Sequence, residues 1–71
     1  MSKKVELETG GTVWKVLVAE GDKVSAGQTL FIMEVMKMEV PYEAPADGVV
    51  AELKVAEGDV VQEGMVAAVV R

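Results

Sequence analysis

The sequence Val-Ala-Glu-Gly-Asp occurs twice, at Val18–Asp22 and again at Val55–Asp59. It lies inside a longer repeat, because Gly11–Leu30 aligns with Gly48–Ala67 at a constant shift of 37 positions and without a gap. Two copies of one unit within a short chain indicate a fold with pseudo-two-fold symmetry.

Each copy has the pattern of short strands joined by glycine turns. Gly-Asp at positions 21–22 and 58–59 is typical of turns, since glycine adopts positive φ and aspartate hydrogen-bonds to nearby backbone. No window shows an apolar period of 3.6 residues, so no helix is expected. The main strands are expected at Val13–Val18, Leu30–Val35, Val49–Val55 and Val66–Val70. This pattern predicts an all-β antiparallel sandwich or barrel.

Size and composition limit the possible functions. A chain of 71 residues is expected to form a single domain over residues 1–71, and its 15 valines favour strands. The net charge of −5 argues against a nucleic-acid partner. No apolar run is long enough to insert into a membrane, so we expect a cytoplasmic protein.

The stretch Phe31–Tyr42 between the copies departs from ordinary turn chemistry. Fully extended, its twelve residues would span about 40 Å, too long for a small domain, so the chain must reverse inside it. The repeat places the reversal near residue 37, where Met36 and Lys37 replace the Asn-Gly that a tight hairpin prefers. Positive φ at a non-glycine residue costs on the order of 1–3 kcal/mol, so this cost suggests a functional site.

The predicted tip carries an amine between two thioethers. Exposed methionines such as Met36 and Met38 would offer an adaptable apolar contact surface beside Lys37. The chain has neither histidine nor cysteine, so metal and thiol chemistry lack their usual ligands and a serine nucleophile lacks its base. We therefore expect no metal site and no catalytic residues.

The segment Glu34-Val35-Met36-Lys37-Met38 resembles the attachment motif of biotinyl domains, in which the lysine between two methionines carries biotin. Ala44–Val50, Glu57–Asp59 and Gly64 also resemble that family, and the likeness runs from about Val5 to Val70. Val35 stands where many members have alanine. Within the biotinyl/lipoyl attachment family, the chain most resembles biotin carboxyl carrier proteins.

The resemblance implies a flattened barrel-sandwich of two four-stranded antiparallel sheets, with Lys37 on an exposed hairpin. It implies that a biotin protein ligase activates biotin as an acyl-adenylate and that the Lys37 amine forms an amide with it. Biotin would then carry carboxylate between biotin carboxylase and carboxyltransferase components of a carboxylase, decarboxylase or transcarboxylase. Met36 and Met38 would contact the ligase, while Glu34 would either help the ligase recognise the hairpin or keep it soluble.

Two other functions share this fold. A lipoyl carrier would also offer a hairpin lysine, but lipoyl domains usually have Asp-Lys-Ala at the tip. An unmodified barrel would serve as an interaction module, and such barrels generally lack the tip lysine. The first copy has no room for the protruding insertion that touches biotin in some carriers, so the biotin arm is expected to be free.

Two further expectations concern positions away from the tip. Trp14 and Tyr42 are expected to be packing or rim residues. The repeat maps the hairpin onto positions just beyond both chain ends, so Met1 and Arg71 are expected at the end of the domain opposite Lys37.

Overall fold

The computed structural model describes residues 2–71, in which eight antiparallel strands and no helix occur. The strands are β1 (Lys3–Glu6), β2 (Gly11–Val16), β3 (Lys23–Val24), β4 (Thr29–Val35), β5 (Met38–Glu43), β6 (Gly48–Leu53), β7 (Val60–Val61) and β8 (Val66–Val70). They form two four-stranded sheets, in the orders β1-β8-β6-β3 and β5-β4-β2-β7. The predicted fold class is confirmed.

The two copies of the repeat exchange strands. The first copy supplies β1 to β4 and the second supplies β5 to β8. In one sheet the central strands β4 and β2 come from the first copy and are flanked by β5 and β7 of the second; the other sheet shows the reverse arrangement. Because each central pair needs flanking strands from the other copy, neither copy completes a sheet alone.

The glycine turns are equivalent in the two copies. Gly21 and Gly58 have φ values of +92° and +91°. The Gly21 N–H donates to the Val50 carbonyl at 2.8 Å, and the Gly58 N–H donates to the Val13 carbonyl at 2.7 Å. Each turn is therefore hydrogen-bonded to the central strand of the opposite copy, as the symmetry requires.

Glutamates next to these turns cap the long strands. The Leu53 N–H, at the end of β6, donates to Glu20 Oε2 at 3.0 Å, and the Val16 N–H, at the end of β2, donates to Glu57 Oε2 at 3.1 Å. The sequence predicts that these strands run to Val18 and Val55, and those boundaries are wrong. They end two residues earlier, because a carboxylate from the other copy takes the N–H of the last strand residue.

The core lies between the sheets and is aromatic on one side only. Phe31 is fully buried and stacks on Tyr42, with ring centroids 5.0 Å apart and an angle of 10° between the rings. The repeat places Ala68 and Val5 at the equivalent positions, so the hairpin side of the core holds the larger pair. Tyr42 is confirmed as a packing residue, and Trp14, half-exposed at an irregularity between β2 and β4, lies at the rim.

The symmetry also places the chain ends. Gly11 packs against the carbonyl oxygen of Glu34, near the hairpin tip, and Gly48 packs against the carbonyl oxygen of Arg71. Arg71 therefore occupies in the second copy the place that Glu34 occupies in the first. Near Gly48, the Ala26 N–H donates to Asp47 Oδ1 at 2.7 Å.

The hydrogen bond between Ala26 and Asp47 lies next to the base of the hairpin, where Thr29 pairs with Glu43. Because β4 has 7 residues, its base lies about 20 Å from its tip. Arg71 thus lies at the opposite end from Lys37, as expected. Lys3 pairs with Val70 and brings the start of β1 to the same end, while Met1 lies outside the described residues.

We expect Gly21→Val and Gly58→Val each to lower the free energy of unfolding by more than about 1 kcal/mol. The cost arises from the backbone, because a Cβ at either position would meet nothing within 4 Å, whereas positive φ disfavours a β-branched residue. Urea unfolding measures both values. Ala56→Val, at an exposed position without positive φ, is the control and should change little. A neutral result at either glycine would contradict the equivalence of the turns.

Candidate functional site

The β4–β5 hairpin closes through a two-residue turn formed by Met36 and Lys37. Val35 pairs with Met38 across its neck. Met36 and Lys37 have φ values of +51° and +66°, and they are the non-glycine residues with positive φ among residues 2–71. A two-residue hairpin with positive φ at both positions ordinarily uses Asn-Gly. The reversal and its left-handed residues therefore lie where the sequence predicted them.

The hairpin is held firmly below its tip. Six residue pairs join β4 to β5, from Thr29 with Glu43 to Val35 with Met38. The Tyr42 hydroxyl accepts a hydrogen bond of 3.0 Å from the Glu8 N–H, which ties the edge strand to the segment after β1. With the stacked aromatic ring beneath it, this bond fixes the base from which the tip projects.

Strand β2 packs closely against the neck of the hairpin at Gly11. A Cβ at this position would lie 2.6 Å from the Glu34 carbonyl oxygen and 3.0 Å from Val35 Cγ2. Real side chains do not tolerate the shorter distance, so the position requires glycine. The repeat revealed that Gly11 recurs as Gly48, but sequence alone did not show that this glycine supports the candidate site.

The side chains at the tip of the hairpin project into solvent. Met36 is 91% exposed and Met38 is 67% exposed, whereas Met33 on the same hairpin is fully buried. Lys37 is also exposed, and no side chain of residues 2–71 forms a hydrogen bond or ion pair with its ammonium group. The tip therefore presents a primary amine between two thioethers, accessible to another protein.

Two carboxylates face each other just below the tip. Glu34 of β4 pairs directly with Glu39 of β5, and both side chains are exposed. Like charges directly opposite on neighbouring strands are destabilising. The ion pair found within residues 2–71, between Lys54 and Glu52 at 3.6 Å, lies in the other sheet and does not offset this repulsion. The pairing of these two carboxylates therefore does not stabilise the hairpin.

The remaining surface offers little for small-molecule chemistry. One shallow cavity of about 410 Å³ lies near the C-terminus and is lined by Lys23, Val24, Ser25 and Asp47–Val49. Another, of about 350 Å³, lies between the edge strands β1 and β5. Residues 2–71 contain no group of three or more potential metal ligands. Nor do they contain a helix that could cross a membrane.

Comparison with known proteins agrees with this geometry. Residues 2–70 match the Biotin_lipoyl family, described as "Biotin-requiring enzyme". The chain belongs to this family. It is 47% identical to the biotin/lipoyl attachment protein of Bacillus subtilis (strain 168) over 60 residues, which cover 84% of this chain and 82% of the relative.

A second relative is the biotin carboxyl carrier protein of acetyl-CoA carboxylase from Solanum lycopersicum. The two are 47% identical over 51 residues, which cover 72% of this chain and 73% of the relative. Among solved structures, the urea carboxylase of Kluyveromyces lactis matches with a TM-score of 0.92 and 34% identity. This match covers 100% of this chain and 6% of the urea carboxylase. The fold therefore occurs as one small part of that larger chain.

We expect the double substitution Met36→Asn, Lys37→Gly to raise the free energy of unfolding by about 1–2 kcal/mol. Asparagine and glycine accept positive φ more readily than methionine and lysine, so the turn would lose its backbone strain. Urea unfolding of the double variant against the native chain measures the gain. Met36→Ala removes the thioether without relieving the backbone and should give no such gain. An unchanged or lower stability of the double variant would show that the tip is not strained.

Proposed function

We propose that this chain is a biotin carrier domain in which biotin is attached through an amide to Nζ of Lys37. The observation that carries the proposal is the exposed amine of Lys37 at a left-handed hairpin tip in a member of the biotin/lipoyl family. Amide formation needs a primary amine that a second protein can reach. The exposed tip fits this requirement without a binding cavity on the carrier.

Lys37 supplies the nucleophile in the attachment reaction. Its amine must lose a proton before it attacks the activated carboxyl carbon held by a biotin protein ligase, and AMP then leaves. No described side chain of the carrier is hydrogen-bonded to Nζ, so the proton acceptor is expected to belong to the ligase. The carrier contributes the position of the amine rather than its activation.

The rest of the domain presents the tip to large partners. Bound biotin would supply a ureido nitrogen that carries carboxylate from a biotin carboxylase component to a carboxyltransferase component. The chain's residues hold the hairpin tip at one end of the domain and keep Arg71 at the far end. Covalent tethering makes each encounter intramolecular within a complex and raises the effective concentration of the carried group.

In this role the chain supplies no catalytic residue of its own. Residues 1–71 form one biotinyl domain, and its partners belong to a carboxylase, decarboxylase or transcarboxylase in the cytoplasm. The biotin carboxyl carrier protein among its relatives favours a carboxylase. A lipoyl carrier is the second candidate, because the family includes both attachments, but thioethers at both sides of Lys37 favour biotin.

The residues around Lys37 give the hairpin tip the features by which a ligase would recognise it. Met36 and Met38 provide apolar contacts, and the facing carboxylates of Glu34 and Glu39 suit a basic surface. Binding a cationic partner would relieve the repulsion between these two carboxylates. Glu34 therefore contributes to recognition of the hairpin as well as to its solubility.

Lys37→Arg is expected to abolish biotinylation while leaving the midpoint of thermal unfolding nearly unchanged, because this exposed side chain contributes little packing. Whole-protein mass after incubation with biotin protein ligase, biotin and ATP measures the modification. Lys54→Arg, at an exposed lysine that directly follows β6, is the control and should still gain one biotin. Addition of biotin to Lys37→Arg would show that the attachment site is wrong.

The double variant Met36→Asp, Met38→Ala is expected to keep the fold and to be biotinylated at least about tenfold more slowly, because an unpaired charge in an apolar ligase pocket is costly. Time-resolved mass spectrometry with purified biotin and lipoyl ligases measures both modifications. Circular dichroism checks the fold. Met65→Ala, away from the hairpin, is the control. Unchanged biotinylation of the double variant would mean that the ligase recognises the position of the lysine and not the methionine side chains beside it.

A further inference from the structure

The methionines of the chain differ widely in access to solvent. Met36 and Met38 are 91% and 67% exposed, Met65 is 42% exposed, and Met33 is fully buried. Susceptibility of sulfur to oxidation depends on its exposure. The two most accessible of these four thioethers therefore flank the lysine of the proposed attachment site.

The other two described methionines are poorer targets for oxidation. The sulfur of Met65 accepts a hydrogen bond of 3.3 Å from the Gln62 N–H, which engages one of its lone pairs. Met33 belongs to the core between the sheets. The chain contains no cysteine, so no thiol competes for an oxidant. These features favour oxidation at the tip over oxidation elsewhere in residues 2–71.

We infer that Met36 and Met38 form a reversible oxidation site that controls whether the unmodified carrier accepts biotin. A hydroperoxide transfers one oxygen atom to a methionine Sδ: an S–O bond forms, the O–O bond breaks, and hydrogen peroxide leaves as water. The sulfur loses two electrons and the peroxide gains them. Methionine sulfoxide reductases reverse the step with electrons from a thiol reductant.

This inference rests on the proposed attachment of biotin to Lys37. Oxidation converts a flexible apolar side chain into a polar sulfoxide. A ligase pocket that accepts the thioethers would have to bury the new oxygen without a matching donor, which disfavours binding. The domain is expected to stay folded, because both side chains are exposed and neither belongs to the core. Oxidation would thus block new attachment while leaving the carrier intact for repair.

The test uses the full chain without biotin, treated with hydrogen peroxide. Peptide mass spectrometry should show oxygen added to Met36 and Met38 before Met65 and Met33. Labelling by purified biotin protein ligase should then slow by about tenfold or more, with unchanged circular dichroism. Reductases specific for the two sulfoxide epimers should restore the rate. Oxidation of Met65 or Met33 first, or failure of repair to restore labelling, would overturn the inference.

A matched variant and an untreated sample separate the possible failures. Met36→Leu with Met38→Leu keeps apolar side chains that peroxide does not oxidise, so its labelling rate should not change after treatment. If this variant is a poor ligase substrate, reductase repair of the native chain still decides the question. Equal labelling of treated and untreated native chain, with both tip methionines oxidised, overturns this inference alone. No labelling of the untreated chain overturns the proposed function itself.

Discussion

The exchange of strands between the two copies is the constraint on which the rest of the molecule depends. Each central pair, β2–β4 or β6–β8, is flanked on both sides by strands of the opposite copy. Glu20 and Glu57 strengthen this arrangement, because each carboxylate caps the end of a long strand in the other copy. The connection between the copies joins β4 of the first copy to β5 of the second within one sheet, at the turn formed by Met36 and Lys37.

The two halves of the molecule differ most in the residues that support and form the hairpin. The hairpin side has the Phe31–Tyr42 stack, and the equivalent positions hold only alanine and valine. Large aromatic contacts stabilise β5 on β4 although β5 is an edge strand. A firmly held base allows the tip to keep unfavourable features: two strained residues, two exposed thioethers and a pair of facing carboxylates. The cost is thus confined to a few residues beyond a well-packed neck.

The repeat and the glycine turns could be predicted from the sequence because the local residues determine them. The symmetry also located the reversal near residue 37, and the choice of Met36 and Lys37 there exposed the conflict with ordinary turn chemistry. The edge strand β1 was not predicted from local pattern, because Lys3–Glu6 and its equivalent Val40–Glu43 share only their glutamate. The ends of β2 and β6 were missed because side chains far along the chain decide them. The Glu34–Glu39 pairing likewise requires the register of the hairpin.

The brevity of the turn has a kinematic consequence. A two-residue connection leaves the backbone little freedom, so the fine motion of a group attached to Lys37 would have to come from rotations about the lysine side-chain bonds and about the bonds of that group. Larger displacements require the whole domain to pivot. The domain is 32 Å along its longest axis, and the chain end lies opposite the tip. A small rotation of the domain about a point near Arg71 would therefore move Lys37 through a large distance, as at the far end of a stiff lever.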